Sequence, residues 1–156
     1  MRPPPDQITG RYSIMAGHAA STGFRALTAT VDRTLAGFCY GFHGAPGQWW
    51  HDRVWFALGQ PAAGEWLGDC LELAELHVLP EYQGRGIGSR LLRDLTIGRA
   101  ERTVVLSTMD SETVARRLYR GTGFTDLLTG FAFEPMMPAY AVMGAELPLR
   151  AARPSR

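Results

Sequence analysis

The sequence contains no lysine and no asparagine, so all 16 of its basic residues are arginines. Without lysine the chain cannot form a Schiff base on its own side chains, and it lacks the residue that a nucleoside-triphosphate P-loop places on the terminal phosphates. Cysteine is scarce as well, since only Cys39 and Cys70 occur, each beside apolar residues. Because their spacing gives neither a disulfide framework nor a metal-ligand pattern, we expect two buried thiols and no bound metal.

Long apolar runs and a strong net charge are also missing. No segment approaches the length of a membrane span, and the proline-rich first residues lack the apolar stretch of a secretory signal, so we expect a cytoplasmic protein with no membrane partner. A net charge of +1 argues against a nucleic-acid partner. At 156 residues, 46% of them hydrophobic, the chain fits one domain. We place that domain at residues 11–149, between tails at 1–10 and 150–156.

The most informative stretch is a glycine-rich loop that follows an apolar strand, Leu71 to Val78. Pro80 ends the strand because proline has no N–H for the ladder. Gly84, Gly86 and Gly88 then lead into an amphipathic helix. Alternating glycines let the backbone approach a ligand closely, and the first turn of a helix offers unpaired N–H groups to an anion. The stretch therefore predicts a phosphate-binding loop.

The spacing of the glycines decides between known kinds of phosphate loop. A dinucleotide-binding loop needs G-x-G-x-x-G, but the final position here is Ser89 or Leu91, depending on where the count starts. The pattern is instead Gln83-x-x-Gly86-x-Gly88. This pattern resembles the pyrophosphate loop of the GCN5-related N-acetyltransferases, which reads Gln/Arg-x-x-Gly-x-Gly/Ala between a central strand and a helix.

A second match, Ala115-x-x-x-Tyr119-x-x-x-Gly123-Phe124, is similar to the next helix of that family and its exit. The resemblance implies an α/β fold with a mixed, splayed central sheet flanked by helices. The predicted strands cover 24–31, 35–42, 71–78, 103–108, 124–133 and 140–147, and the predicted helices cover 12–20, 46–58, 86–99 and the stretch from Asp110 or Ser111 to Arg120. Residues 59–68 are predicted to be a loop, and the two central strands to run parallel, joined by a crossover helix.

The resemblance further implies acetyl-CoA as donor, bound where strands 71–78 and 103–108 separate. Unpaired backbone groups there can pair with the pantetheine amides as an added strand would. The residues expected to bind the cofactor are Leu76, His77, Val78, Gln83, Gly84, Arg85, Gly86, Ile87, Gly88 and Ser89. Arg90 adds positive charge nearby, although arginines on the first turns of a helix often face solvent.

For catalysis, the resemblance implies that Tyr119 is the general acid that protonates the departing thiolate and that the N–H of Val78 stabilises charge on the thioester oxygen. Glu72 is the expected base, with a pKa raised by burial. Glu75, His77 and deprotonation through water remain alternatives. Spacing of three puts Glu72 and Glu75 on opposite strand faces unless a bulge intervenes, so we expect only one of them to see the acceptor.

The expected acceptor is a primary amine of a small molecule or peptide. Trp49, Trp50, His51, Asp52 and Trp55 are candidates for its pocket, although the tryptophans could simply pack a helix onto the sheet. The alternative function is a non-catalytic acyl-CoA-binding or regulatory module.

Two departures from the family bear on that alternative. Glu112 stands where many members have an asparagine that holds the cofactor, and an ionised glutamate cannot donate a hydrogen bond. Residues 1–23 are too few for the usual first strand and two helices, so that strand is either missing or replaced by another element. A homodimer that covers the exposed strand edges is one way to replace it.

Overall fold

The structure, a computed structural model of the chain, describes residues 13–150. The predicted N-terminal tail and residues 151–156 lie outside this range. The elements in chain order are α1 (residues 13–19), β1 (Arg25–Val31), β2 (Thr34–Gly44), α2 (Trp49–Leu58), α3 (Ala62–Leu67), β3 (Cys70–Val78), a short 3-10 turn (Pro80–Tyr82), α4 (Ile87–Thr96), β4 (Thr103–Met109), α5 (Val114–Gly121), β5 (Thr125–Phe131) and β6 (Tyr140–Glu146).

The strands form one mixed sheet in the order β1-β2-β3-β4-β6-β5. Every neighbouring pair is antiparallel except β3 and β4, which run parallel. A parallel pair needs a crossover connection, and α4 supplies it. The mixed α/β sheet predicted from the sequence, with two parallel central strands, is therefore confirmed.

The parallel strands β3 and β4 pair only where they begin. Their register joins Cys70 with Thr103, Leu71 with Val104 and Glu72 with Val105. Beyond these residues β3 stays paired with β2 and β4 with β6, but the two strands leave each other. A gap thus opens between their carboxyl ends, as a splayed sheet requires.

Each face of the sheet carries its own apolar core. One core packs α4 and α5 on the sheet, with Leu91, Leu92, Leu95 and Tyr119 among its buried residues. The other packs α2 and α3 on the opposite face, around Val54, Leu67, Cys70, Val105 and Val142. The gap between β3 and β4 therefore has helices on both sides.

Helix α3 lies in residues 59–68, where the sequence predicted a loop. Its first turn closes when the N–H of Ala63 donates to the carbonyl of Gly59 at 2.8 Å. Ala63 and Leu67, four residues apart, are both buried. The segment has a weak propensity to form a helix, because it is only six residues long and contains a glycine. Burial of one of its faces against α2 therefore makes it helical.

Three predicted helix boundaries were wrong. Helix α2 begins at Trp49 instead of residue 46, because the backbone of Gln48 is still extended. Helix α4 ends at Thr96 instead of residue 99, because Gly98 adopts a φ of +68° and Arg99 turns back to donate to the carbonyl of Gly23. Helix α5 is capped by Thr113, whose hydroxyl accepts the N–H of Arg116 at 3.1 Å. Asp110 does not cap the helix, because its carboxylate accepts from the guanidinium of Arg116 and the N–H of Gly130.

Residues 13–24 contain α1 and no strand, and the residues before them lie outside the described range. The first strand of the sheet is thus β1, as far as the structure describes the chain. None of the helices in residues 13–150 is long and apolar enough to span a membrane.

Candidate active site

The glycine loop lies at the carboxyl end of β3 and leads directly into α4. Gly84 and Gly86 both adopt positive φ angles, +77° and +79°, which glycine reaches without steric cost. The first N–H bonded within α4 is that of Arg90, which donates to the carbonyl of Gly86 at 3.0 Å. The N–H groups of residues 87–89 therefore have no acceptor within the helix, as at any helix start.

The third glycine serves packing. A Cβ on Gly88 would lie 3.2 Å from Leu118 of α5 and 3.7 Å from Val78 of β3, whereas Gly84 and Gly86 have open space where a Cβ would be. Gly88 thus brings the start of α4 close to α5, and the other two leave room beside the backbone for a ligand.

The backbone of Val78 faces the gap. The N–H of Leu79 donates to the carbonyl of Ala36 in β2 at 2.8 Å. Successive residues of an antiparallel strand direct their amides to alternate sides, so the N–H of Val78 points away from β2. Its carbonyl accepts a hydrogen bond from the side chain of Gln83 at 3.0 Å. Gln83 therefore fastens the loop to the end of the strand.

A cavity of about 380 Å³ connects the gap with the loop. Its lining consists of Leu76, His77, Val78, Tyr82, Gln83, Gly84, Gly86, Ile87, Gly88, Ser89, Val114, Ala115, Leu118 and Tyr119. All the residues expected to bind the cofactor line it except Arg85. That side chain lies outside, with its guanidinium 5.4 Å from the ring centre of Tyr82. Arg90 is exposed, and its Nε lies 3.8 Å from Oδ2 of Asp94.

The cavity and loop fit acetyl-CoA. Unpaired amides at the start of α4 suit a diphosphate, and the open space beside Gly84 and Gly86 is what a ligand lying on the backbone requires. The outward N–H of Val78 lies where a pantetheine amide could pair with the strand. The cavity residues that sequence reasoning missed include Val114 and Leu118. Their spacing from Tyr119 places them along the same helix, so that motif was the available signal.

Tyr119 enters the cavity from α5. The residue is 6% exposed, and its ring lies 5.5 Å from that of Phe124. Burial, and then the nearby carboxylate of Glu75, raise the pKa of the Tyr119 phenol. The hydroxyl therefore keeps its proton and can donate it.

Glu72 lies on the opposite face of the sheet, at the last residue of β3 that pairs with β4. It is two residues from Cys70, which belongs to the core under α2 and α3. Glu72 is 5% exposed, and its Oε2 has no hydrogen-bond partner among the described residues. Burial raises the pKa of this carboxyl to about 8. A carboxylate with such a pKa can take up a proton near neutral pH.

A β-bulge at Ala74 changes which residues share that face. Glu72 pairs with Phe42, whereas Glu75 pairs with Tyr40, so three residues of β3 span two residues of β2. Because Tyr40 and Phe42 are two apart on β2, their partners share one face. The two glutamates therefore share one face of the sheet, through the kind of bulge that the spacing argument had left open.

Other polar groups surround the two glutamates. The carboxylate of Glu75 is hydrogen-bonded to His77. The hydroxyl of Tyr40 lies 3.0 Å from Nδ1 of His18 in α1. Burial and the charges of Glu75 and Glu72 raise the pKa of Tyr40 to about 12. Sequence reasoning missed Tyr40 because only the strand register places it beside Glu75.

Two residues of the predicted acceptor pocket on α2, His51 and Trp55, pack into the protein interior. His51 is buried, with Nε2 hydrogen-bonded to the carbonyl of Leu67, and Trp55 packs into the core under α2. Asp52 accepts the N–H of Gly47, while Trp49 is half exposed.

The indole of Trp50 donates to the hydroxyl of Ser107 at 3.0 Å. Ser107 lies two residues past Val105, the last residue of β4 that pairs with β3. Trp50 therefore borders the gap on the face of Glu72. At the start of α5, Glu112 is exposed and its carboxylate accepts from Arg120 at 2.7 Å.

Comparisons with known proteins agree with this geometry. The sequence model of the acetyltransferase (GNAT) domain matches residues 25–126. A GCN5-like protein acetyltransferase of Mycobacterium tuberculosis is 40% identical over 139 residues, which cover 84% of this chain and 68% of the relative.

Solved structures share the fold. An acetyltransferase of the GNAT family from Desulfovibrio desulfuricans has a TM-score of 0.64 at 18% identity, over 92% of this chain and 82% of the other. The PaiA N-acetyltransferase of Thermoplasma acidophilum, in complex with coenzyme A, has a TM-score of 0.53 at 20% identity, over 80% of this chain and 61% of the other. The splayed sheet, the glycine loop and the domain match together lead to one conclusion: the chain belongs to the GNAT acetyltransferases, a family that uses acetyl-CoA.

Proposed function

We propose that the protein transfers the acetyl group of acetyl-CoA directly to a primary amine of a small molecule or peptide. The observation that carries the proposal is the pair of proton-transfer groups beside the gap between β3 and β4. Glu72 lies on one face of the sheet with an unpartnered carboxylate oxygen, and Tyr119 lies on the other with a protonated hydroxyl. An amine and a thioester that meet in the gap would have a base on one side and an acid on the other.

In this proposal each group has one task. Bound acetyl-CoA supplies a thioester whose C–S bond breaks as the C–N bond to the amine forms. Glu72 accepts the proton that the amine nitrogen loses, and Tyr119 gives a proton to the sulfur that leaves. The N–H of Val78 donates a hydrogen bond to the thioester oxygen, where negative charge develops. Leu76 to Val78 and residues 83–89 hold the donor, with Arg85 contributing through its place in the loop while its side chain lies outside the cavity.

The cysteines support direct transfer. Both thiols are buried, and burial raises the pKa of Cys39 to about 11 and that of Cys70 to about 12. A thiolate is the reactive form, so neither residue suits an acyl-enzyme step.

The relative from Mycobacterium tuberculosis is named as a protein acetyltransferase, which favours an amine on a peptide or protein over a small molecule. We also propose that the protein is cytoplasmic. Its single domain spans residues 11–149 in this proposal.

A thermal-shift titration with acetyl-CoA, followed by thiol release against a panel of amines and peptides, tests the proposal. We expect stabilisation by acetyl-CoA and turnover that increases as the pH rises through about 8, since the base must be deprotonated. Glu72→Gln should lower turnover about 100-fold or more without weakening acetyl-CoA binding. Glu146→Gln, an exposed carboxylate at the end of β6, is the matched control.

Stabilisation by acetyl-CoA without turnover on any amine would favour the non-catalytic binding module. Ping-pong kinetics would contradict direct transfer.

A further inference from the structure

We infer that Glu75 is a specificity-determining residue that binds the positive charge of the acceptor, so that the protein selects cationic amines. The inference rests on the proposed function and goes one step further, from a primary amine to a charged one. It concerns the face of β3 that carries Glu72, Glu75 and His77, together with Tyr40 of β2. We call this set of four residues the acceptor face.

The register of β3 and β2 places these side chains together. Tyr40 stands opposite Glu75 and Phe42 opposite Glu72, because the bulge at Ala74 shifts the pairing by one residue. His77 stands opposite Phe38, and the two rings lie 5.4 Å apart. Without the bulge Glu75 would point to the face of α4 and α5. The irregularity thus adds a second carboxylate to the acceptor side.

The two carboxylates differ in surroundings. Glu72 is buried and has an oxygen with no partner among the described residues, and that oxygen lies on the same face as Glu75. The side chain of Glu75 is 43% exposed and forms a hydrogen bond with His77. A ligand arriving from solvent therefore meets Glu75 before it reaches Glu72. An unpartnered buried acceptor beside a reachable carboxylate is a site suited to a hydrogen-bond donor with a positive charge.

Apart from His77, which is hydrogen-bonded to Glu75, the groups around the acceptor face leave Glu75 as its charged group. Burial holds Glu72 neutral at pH values below about 8, and Tyr40 keeps its proton. Burial also lowers the pKa of His18, which contacts Tyr40 from α1, so this ring tends to be neutral. On β4, the polar group nearest the gap on this face is the hydroxyl of Ser107, which accepts from the Trp50 indole and is uncharged. Glu75 is therefore the carboxylate that a cationic acceptor would meet first.

The geometry separates two roles. Glu72 lies at the inner end of the gap, where β3 and β4 part, and suits proton removal. Glu75 lies nearer the open end of β3 and suits binding of a second, charged amino group of the acceptor, whereas the nitrogen that attacks the thioester must be uncharged. Loss of the captured charge should then appear in KM for the acceptor, and loss of the base in kcat.

The experiment compares Glu75→Gln with wild type on acceptors of different charge at saturating acetyl-CoA. The acceptors are 1,4-diaminobutane, a short peptide with a free amino terminus and a lysine, and aniline, which is neutral at the assay pH. We expect KM for the two cationic acceptors to rise about tenfold with kcat little changed, as for one lost charge-assisted hydrogen bond. KM for aniline should stay within about twofold of the wild-type value, since aniline brings no charge for Glu75 to bind. Glu65→Gln, at an exposed position of α3, is the control.

His77→Gln tests whether Glu75 acts only by holding its neighbour. If Glu75 merely positions His77, this variant should reproduce the rise in KM, and that result would overturn the inference. Equal changes in KM for cationic and neutral acceptors would overturn it as well.

A binding measurement keeps the test independent of turnover. Calorimetric titration of the CoA-bound protein with 1,4-diaminobutane should show binding that is about tenfold weaker in Glu75→Gln and unchanged in Glu65→Gln. Equal binding in wild type and Glu75→Gln would refute the inference. Absence of turnover in the wild type, with this difference in binding still present, would instead count against the proposed function alone.

Discussion

The two halves of β3 contrast with one another, and Ala74 divides them. From Cys70 to Leu73 every residue is buried, and the strand begins with neighbours on both sides. From Ala74 to Val78 the residues are half-buried or exposed, and the strand pairs only with β2. We call these the closed half and the open half. The first residues of the strand thus belong to the core, and its last residues form an edge that can bind a ligand.

The contrast explains how one small sheet can be stable and still leave backbone groups unpaired. Unpaired amides inside a protein are costly unless a ligand or water satisfies them. The closed half secures β3 between β2 and β4, so the open half can keep its free edge without the strand leaving the sheet. The bulge lies at the boundary, where it also turns Glu75 toward the face of Glu72.

The largest expected effect is on stability and comes from the closed half. Leu71→Ala should lower the free energy of unfolding by about 2–5 kcal/mol, because the side chain is fully buried between both neighbouring strands and α4. Leu76→Ala, in the open half, should cost less stability but weaken acetyl-CoA binding, since Leu76 lines the cavity. Chemical denaturation with and without acetyl-CoA measures both.

The comparison of the halves would fail if the two leucine variants lost equal stability. It would also fail if Leu71→Ala, corrected for unfolded protein, weakened acetyl-CoA binding as much as Leu76→Ala.

The fold and the loop could be predicted because their signals are local. Gln83, Gly86 and Gly88 stand within six residues, so their spacing can be recognised without knowing that Gly88 packs against the distant Leu118. Strand and helix order followed from apolar runs in the same way. These features depend little on the rest of the chain.

The acceptor face could not be predicted, because it depends on distant partners. The bulge at Ala74 is defined by the pairing of β3 with β2, and the sequence of β3 alone does not predict it. Likewise Asp110 is a good candidate for the N-cap by sequence, but its carboxylate accepts the N–H of Gly130 from the following hairpin. Thr113 therefore caps the helix. Tertiary contacts outweigh local preference at both places.

The next effect concerns Glu72, the last carboxylate of the closed half. Burial raises its pKa from 4.5 to about 8, so the folded state holds this proton more tightly than the unfolded chain does. The contribution of Glu72 to the free energy of unfolding should therefore be fully present below pH 4.5. It should be lost as the pH rises toward about 8. With roughly 1.4 kcal/mol per pKa unit, the fall amounts to a few kcal/mol.

Glu72→Gln should remove most of that fall, and unfolding curves between pH 5 and pH 9 measure it. Glu75→Gln is the matched variant from the open half, where a half-exposed carboxylate should leave the fall in place. A wild-type stability that does not change over this range would contradict the buried state of Glu72.

A smaller effect, this time on rate, comes from the cavity beside the open half. Tyr119→Phe should lower turnover about 100-fold, because in the proposed mechanism the thiolate then leaves without a proton donor. Stabilisation by acetyl-CoA should persist, since the ring still fills its place beside Phe124. Tyr140→Phe, in the core on the other face, is the control and should keep wild-type turnover. Equal turnover of Tyr119→Phe and wild type would remove the acid role from this residue.

The smallest effect separates backbone strain from ligand binding in the loop that follows the open half. Gly86 and Gly98 have similar φ angles, +79° and +68°, and each has open space where a Cβ would be. Alanine at either position should cost about 1 kcal/mol of stability, because a side chain disfavours this conformation. Only Gly86→Ala should weaken acetyl-CoA binding, by about tenfold, since Gly86 precedes the free amides of α4 and Gly98 lies beyond the other end of the helix. Calorimetry with acetyl-CoA tests the pair, and equal loss of affinity in both variants would mean that the loop acts through stability alone.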